Sequence, residues 1–183
     1  MSLKGQRTTA DYLPWNDMLL LIQKLARDGN YEYATLIAVG SYTGLRFSDL
    51  SRLTWEDIKT NPLVLTEQKT KKVRTIHLHD DLLQFLENVR LLTNPKPIGV
   101  LYTFSLQYTN RKLKSIARDY RLDIQFSTHS FRKTFGRRIW EKNNHSEKSL
   151  ILLGQVFNHS SVAITKRYLG IRDKEIKDIY LNL

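Results

Sequence analysis

Apolar positions recur along the chain with two different periods. Leu19, Ile22, Leu25 and Ala26 follow the three-and-four spacing of a helix face. Pro14 suits the first turn of that helix, Asp17 suits its positive end, and Gly29 stops it. "YEYATLIAVGSYTG" (31–44) is apolar nearly all round, which predicts a buried helix closed by Gly44. A short helix is expected from Phe47 to Leu53. The period then drops to two. "LVLTEQ" (63–68) and "VRTIHL" (73–78) predict two strands with the basic "KTKK" (69–72) at the bend, and "WEDIK" (55–59) is a candidate third strand. Helical spacing returns over Asp80–Leu92, with Asp80 as its cap, and over 108–121 after the Pro-rich "TNPKPIGV". Ser127 or Thr128 is placed to cap a helix through Trp140, on which Phe131, Phe135 and Ile139 make one stripe. Shorter helices fit 146–153, 161–169 and 172–181. The expected fold class is mainly α with a small antiparallel β-sheet, an α+β domain preceded by a loose polar leader over 1–12.

Composition narrows the class. The chain has 183 residues, 41% of them apolar, enough for the core of one ordinary domain. Its 29 Lys and Arg against 18 Asp and Glu leave a net charge of +11. Such a surplus suits a polyanion, nucleic acid first, although a generally basic surface has the same composition. The absence of cysteine excludes disulfides, thiolate nucleophiles and cysteine zinc sites. The early apolar run Met18–Ile22 is too short to span a bilayer and no signal peptide opens the chain, so a reducing, cytoplasmic setting without a membrane is expected.

Several polar groups are candidates for chemistry. "HSFR" puts His129 and Arg132 on one helix face, with Gly136 continuing the stripe and permitting a close backbone approach. That pair can grip a phosphate, and it also fits an ordinary charged face. In "TGLRFSDL", Arg46 follows the glycine that ends the buried helix, and Asp49 is placed to orient it, a structural pair as readily as a functional one. Lys69, Lys71 and Lys72 stand at the hairpin tip, where a basic turn is normally just solvated. His77 and His79 share a strand face, but no third metal ligand is evident beyond the adjacent acids. Carboxylates are too scattered for a two-metal nuclease, and the glycine spacing of a nucleotide-binding loop is lacking. Tyr168, in "NHSSVAITKRYLGI", would by itself be read as a packing tyrosine.

The order of these pieces carries more than any of them alone. An arginine in "TGLR", a lysine in a hairpin, His-x-x-Arg, then "NHSS" leading to a tyrosine resembles the tyrosine recombinases, the phage and transposon integrase family, across about residues 14–171. The resemblance implies a catalytic domain over 13–171 with a tail helix over 172–183, and roles for its residues. Arg46 and Arg132 would clamp the scissile phosphate, Lys69 would protonate the departing 5′ oxygen, and His129 would assist proton transfer. His159 would hydrogen-bond the phosphate, Tyr168 would be the nucleophile, and Asp49 would support the first arginine. Lys71, Lys72, Lys133, Arg137, Lys166 and Arg167 are expected DNA contacts, as are Lys112, Lys114, Arg118 and Arg138. The implied partner is double-stranded DNA, bound by a homo-tetramer of the full-length protein, and no cofactor or metal is called for. Two departures stand out: Lys133 follows Arg132 where histidine is frequent, and "LLGQVFNHSS" inserts residues before His159, suggesting an unusual loop. Family members also carry an N-terminal core-binding domain, so the chain reads as an isolated catalytic domain. Type IB topoisomerase activity and a non-catalytic DNA-binding role are the alternatives.

Overall fold

A computed structural model describes residues 10–95, 99–102, 104–171 and 179–182. The continuous apolar stretch forms α2 (Tyr31–Thr43), whose residues from Tyr33 to Ser41 are all buried. It is buried all round because α1 (Trp15–Arg27), α3 (Phe47–Leu50), α4 (Asp80–Thr93) and α6 (Thr128–Lys142) all pack on it. Its stop is physical: Gly44 takes a left-handed conformation, φ 62°, and a Cβ there would come within 2.7 Å of the Phe135 ring. The remaining helices are α5 (Leu106–Asp119), α7 (Glu147–Phe157) and α8 (Val162–Leu169).

The expected hairpin is present as β1 (Leu63–Thr66) and β2 (Val73–Ile76), antiparallel, with Leu63 opposite Ile76 and Thr66 opposite Val73. Two strands alone are marginal in water, and here Leu63 and Ile76 anchor the pair in the main core. "WEDIK" is not a third strand. Asp57–Lys59 is a 3-10 turn, because Thr54 and the Asp57 carboxylate bond each other's backbone and curl the chain, at 2.8 Å and 3.1 Å. Thr54 makes only an isolated bridge to Val100. α3 also ends earlier than expected, at Leu50. Nor does Asp80 cap α4: His79 does, its Nδ1 accepting the Asp81 N–H at 3.2 Å. The predicted loop before His159 is instead helix: α7 runs to Phe157, and Asn158 reverses the chain in the left-handed region. The tail helix expected over 172–183 lies mostly outside the described residues, of which 179–181 are helical.

α6 divides the apolar interior. On one side the main core collects residues from Leu13 to Phe131. On the other, Trp140, Leu150, Leu153, Phe157, Leu169 and Ile171 make a smaller second core that mounts α7 and α8. α6 starts cleanly because Ser127 and Ser130 form a reciprocal capping box. Gly136 permits the second core to close, since a Cβ there would lie 2.5 Å from the Leu169 side chain and 3.0 Å from Phe157. The close neighbour allowed by this glycine is therefore the protein's own α8. No helix among the described residues is long and apolar enough to cross a membrane.

Candidate active site

The seam between the two cores gathers the charged residues. Arg132, on α6, is buried, and its guanidinium donates to the Gly44 carbonyl and, at 3.1 Å, to the Phe157 carbonyl. Its plane lies 4.2 Å over the Phe157 ring. Arg46, at the start of α3, donates to the same Phe157 carbonyl at 3.1 Å. The two cations thus meet at the C-terminus of α7, where the negative end of the helix dipole favours them. Burial pulls the Arg132 guanidinium down to about 10, which leaves it charged at neutral pH. A guanidinium carries five N–H donors, and among the described residues the protein occupies two in each arginine.

The carboxylate that holds Arg46 is Glu67, at 3.1 Å, rather than Asp49. Asp49 is buried but turned toward the hairpin, where it accepts the Gln68 N–H at 2.8 Å. It supports the lysine loop and not the arginine, a correction to the expected role. Glu67 also pairs with Arg74 at 3.4 Å and accepts the Thr70 hydroxyl at 2.6 Å. Burial alone pushes the Glu67 carboxyl up; the Thr70 hydroxyl and the charges of Arg46, Arg74 and Arg132 outweigh it and hold the group below the usual range. Arg74 further donates to the Thr43 carbonyl at 2.9 Å. Sequence reasoning missed both Glu67 and Arg74, although a signal existed. The period-two register of the hairpin puts Leu63, Leu65 and Glu67 on the inner face of one strand, and Arg74 and Ile76 on that of the other. Two opposite charges facing inward need each other.

Tyr168 projects from α8, which Ser161 caps by accepting the Ile164 N–H at 3.3 Å. Its ring stands edge-on to Phe157 at 5.5 Å and to His159 at 5.3 Å, and those two rings meet at 5.4 Å. His159 is half-buried, with Nδ1 3.1 Å from the Thr165 hydroxyl. The Tyr168 hydroxyl is buried and finds no hydrogen-bond partner among the described residues. Burial pushes its pKa up to about 12, against the opposing pull of Arg132 and Arg46. This phenol is half-buried against the second core and leaves its hydroxyl oxygen unsatisfied among the described residues, in the field of two guanidinium groups. His129 lies exposed at the start of α6; partial desolvation first, then Arg132, Lys133, Arg46 and Lys69, lower its pKa. His159 is lowered likewise, by burial and then by Arg132 and Arg46. Both imidazoles are therefore neutral near pH 7 and able to accept a proton.

The remaining expected residues divide. Lys69, Lys71 and Lys72 are exposed on the hairpin, and Lys72 reaches across to the Asn158 side chain at 2.9 Å. Arg167 is exposed and Lys166 half-buried on α8, positions open to a DNA contact. Two expected DNA contacts are not at the surface. Arg137 is only 3% exposed; it packs 4.4 Å over the Tyr12 ring, donates to the Tyr12 hydroxyl at 3.1 Å and faces Glu141 at 3.8 Å. Lys133 is 9% exposed, with its ammonium 5.6 Å from the centre of the Tyr168 ring. Both lie on the inward side of α6, where packing on the N-terminal segment and on α8 covers them.

Residues 12–175 match the phage integrase family. The probable integrase/recombinase YoeC of Bacillus subtilis (strain 168) is 31% identical over 157 residues, 79% of this chain and 81% of that protein. Among solved structures, XerA recombinase superposes with a TM-score of 0.66 at 20% identity, covering 93% of this chain and 64% of that one. The Tn1549 transposon integrase in complex with circular intermediate DNA gives a TM-score of 0.64 at 18% identity, covering 91% of this chain and 62% of that one. The chain thus spans under two thirds of each of those structures, and they establish the fold. With a family match across most of its length and a seam where arginines, histidines and a tyrosine meet, the chain belongs to the phage integrase family, as a tyrosine recombinase catalytic domain.

Proposed function

We propose that this domain cleaves and rejoins double-stranded DNA through a covalent tyrosine intermediate. The observation that carries the reading is the convergence of Arg46 and Arg132 on one carbonyl in electrostatic reach of the unsatisfied Tyr168 hydroxyl. A phosphodiester repels nucleophiles, and two fixed guanidinium groups offset the charge that builds on its oxygens during attack. His159 adds a further donor. The Tyr168 oxygen attacks phosphorus, its proton passes to neutral His129, and the bond to the 5′ oxygen breaks. Lys69 gives that oxygen its proton. The products are a 3′-phosphotyrosyl link and a free 5′ hydroxyl. The covalent link keeps the bond energy, so a 5′ hydroxyl can attack in reverse and rejoin the strand without ATP. The cationic side chains supply the charge that a metal-dependent nuclease takes from its ions.

Exposed Lys71, Lys72, Lys114, Arg118 and Arg167 are the phosphate contacts this reading needs. The named relatives are integrases and recombinases, which favours exchange between partners over relaxation of one duplex, the chemistry of type IB topoisomerases. Exchange between two duplexes breaks four strands, each needing one Tyr168, so a homo-tetramer is the matching assembly. The test uses a pool of nicked duplexes with randomised flanks around one marked linkage, incubated in EDTA. The expected result is an SDS-resistant protein–DNA adduct that Tyr168→Phe abolishes; an adduct that survives this substitution, or none from the pool, rejects the reading.

A further inference from the structure

Glu67 stands where two parts of the site join. One of its oxygens, Oε2, receives both Nη1 of Arg46 at 3.1 Å and the Thr70 hydroxyl at 2.6 Å. Its other oxygen faces Arg74 at 3.4 Å. Its backbone closes the hairpin as well: its N–H donates to the Lys72 carbonyl at 2.9 Å, and its carbonyl accepts the Lys71 N–H at 3.0 Å. Lys69 lies between these anchors, on a turn in which Lys71 takes a positive φ of 59°. Glu67 is 5% exposed, so the position of its carboxylate is set by these bonds and not by water. An oxygen with two lone pairs serves both donors at once, and movement of either donor is felt by the other.

Resting on the reaction above, we propose that Glu67 and Thr70 are positioning residues that couple the arginine clamp to the lysine hairpin. Engagement of a phosphate by Arg46 then sets where Lys69 stands relative to the departing 5′ oxygen. Thr70 acts through Glu67 and the turn and does not touch the reacting atoms. Cutting the link at Thr70 therefore harms leaving-group protonation while Arg46 keeps its pairing with Glu67.

Sulfur in place of the bridging 5′ oxygen separates these effects. In that substrate the Tyr168 oxygen bonds to phosphorus, the phosphorus–sulfur bond breaks, and a 5′ thiolate leaves with the electron pair. A thiol has a pKa of about 8.5 against about 15.7 for water, so the thiolate departs without a proton donor. The experiment compares single-turnover adduct formation on the oxygen and sulfur versions of the randomised pool. Thr70→Val is expected to be slower by about tenfold or more on oxygen and to recover to within about threefold of the parent on sulfur, as Lys69→Ala does. Arg46→Ala stays slow on both, and Thr70→Ser, which keeps the hydroxyl, stays active on both. A Thr70→Val protein that is unimpaired on oxygen, or equally slow on both substrates, overturns the coupling. Failure of Lys69→Ala to recover on sulfur overturns it too, by removing the proton donor it positions. Loss of Tyr168-dependent adduct from both pools in the parent protein is the separate failure of the underlying reaction.

Discussion

At Tyr168, burial and the proposed chemistry pull one side chain in opposite directions. Its ring is held by Phe157 and His159, and burial keeps the phenol protonated, with a pKa of about 12. In the proposed reaction attack requires a base, and His129 fits that need only while it is unprotonated. Because His129 titrates below its ordinary value of 6.5, single-turnover cleavage should rise with pH up to that region and then level off through neutrality. His129→Gln should remove the acid limb and lower the plateau by about 100-fold, as measured across a series of buffers of equal ionic strength. Arg132→Lys keeps a charge but cannot reach the Gly44 and Phe157 carbonyls with a planar fork. Its cleavage rate should fall by about 100- to 1,000-fold while adduct chemistry remains tyrosine-dependent. Arg137 makes the opposite case. Arg137→Met should lower thermal stability by about 1–3 kcal/mol, and leave the slope of DNA affinity against salt unchanged, because this guanidinium packs on Tyr12 instead of facing phosphate.

At the level of elements, α6 does two jobs. Its first turns present His129 and Arg132, and its middle receives α8 at Gly136. Gly136→Ala places a methyl 2.5 Å from the Leu169 side chain, next to Tyr168, and 3.0 Å from Phe157, so the packing that seats α8 must shift. We expect a loss of about 1–3 kcal/mol by denaturant unfolding, together with a loss of cleavage larger than the loss of DNA binding. The long helices, the hairpin and the caps at Ser127 and Ser161 follow from local pattern, since period, glycine and hydroxyl signals act over a few residues. Where the pattern misled, a competing local bond decided. Thr54 and Asp57 curl "WEDIK" out of strand geometry, and Asn158 lets α7 absorb the residues that resembled a loop insertion. Asp49 and Arg46 lie three residues apart, yet their side chains part company because the hairpin offers each a better partner.

The whole molecule adds effects of charge and pH. With a net charge of +11, DNA affinity should fall steeply as salt rises. His159 and His129 both titrate below 6.5 in the folded state, so the unfolded chain binds more protons just below that pH. Their contribution to stability is complete above about 6.5 and is lost as pH falls through the lowered values. The melting temperature should therefore decline on going from pH 7.5 to 5, less steeply in His159→Gln. Glu67, held below 4.5, makes its contribution above that value and loses it only in more acidic solution, which separates the two windows.

Chemical identity and order along the chain were legible without any coordinates. Arg46, a hairpin lysine, His129, Arg132, His159 and Tyr168 form an ordered set that few other functions require, and the periods of the apolar residues place His129, Arg132 and Tyr168 on helices. Partnership was decided only by tertiary structure. Glu67 in place of Asp49 beside Arg46, the shared Phe157 carbonyl, and the burial of Lys133 and Arg137 all depend on which segments meet across separations of 21 to 125 residues. Spacing along a helix or strand constrains neighbours a few residues apart. The desolvation and pairing of a charge are settled by whatever the folded chain brings to it from elsewhere.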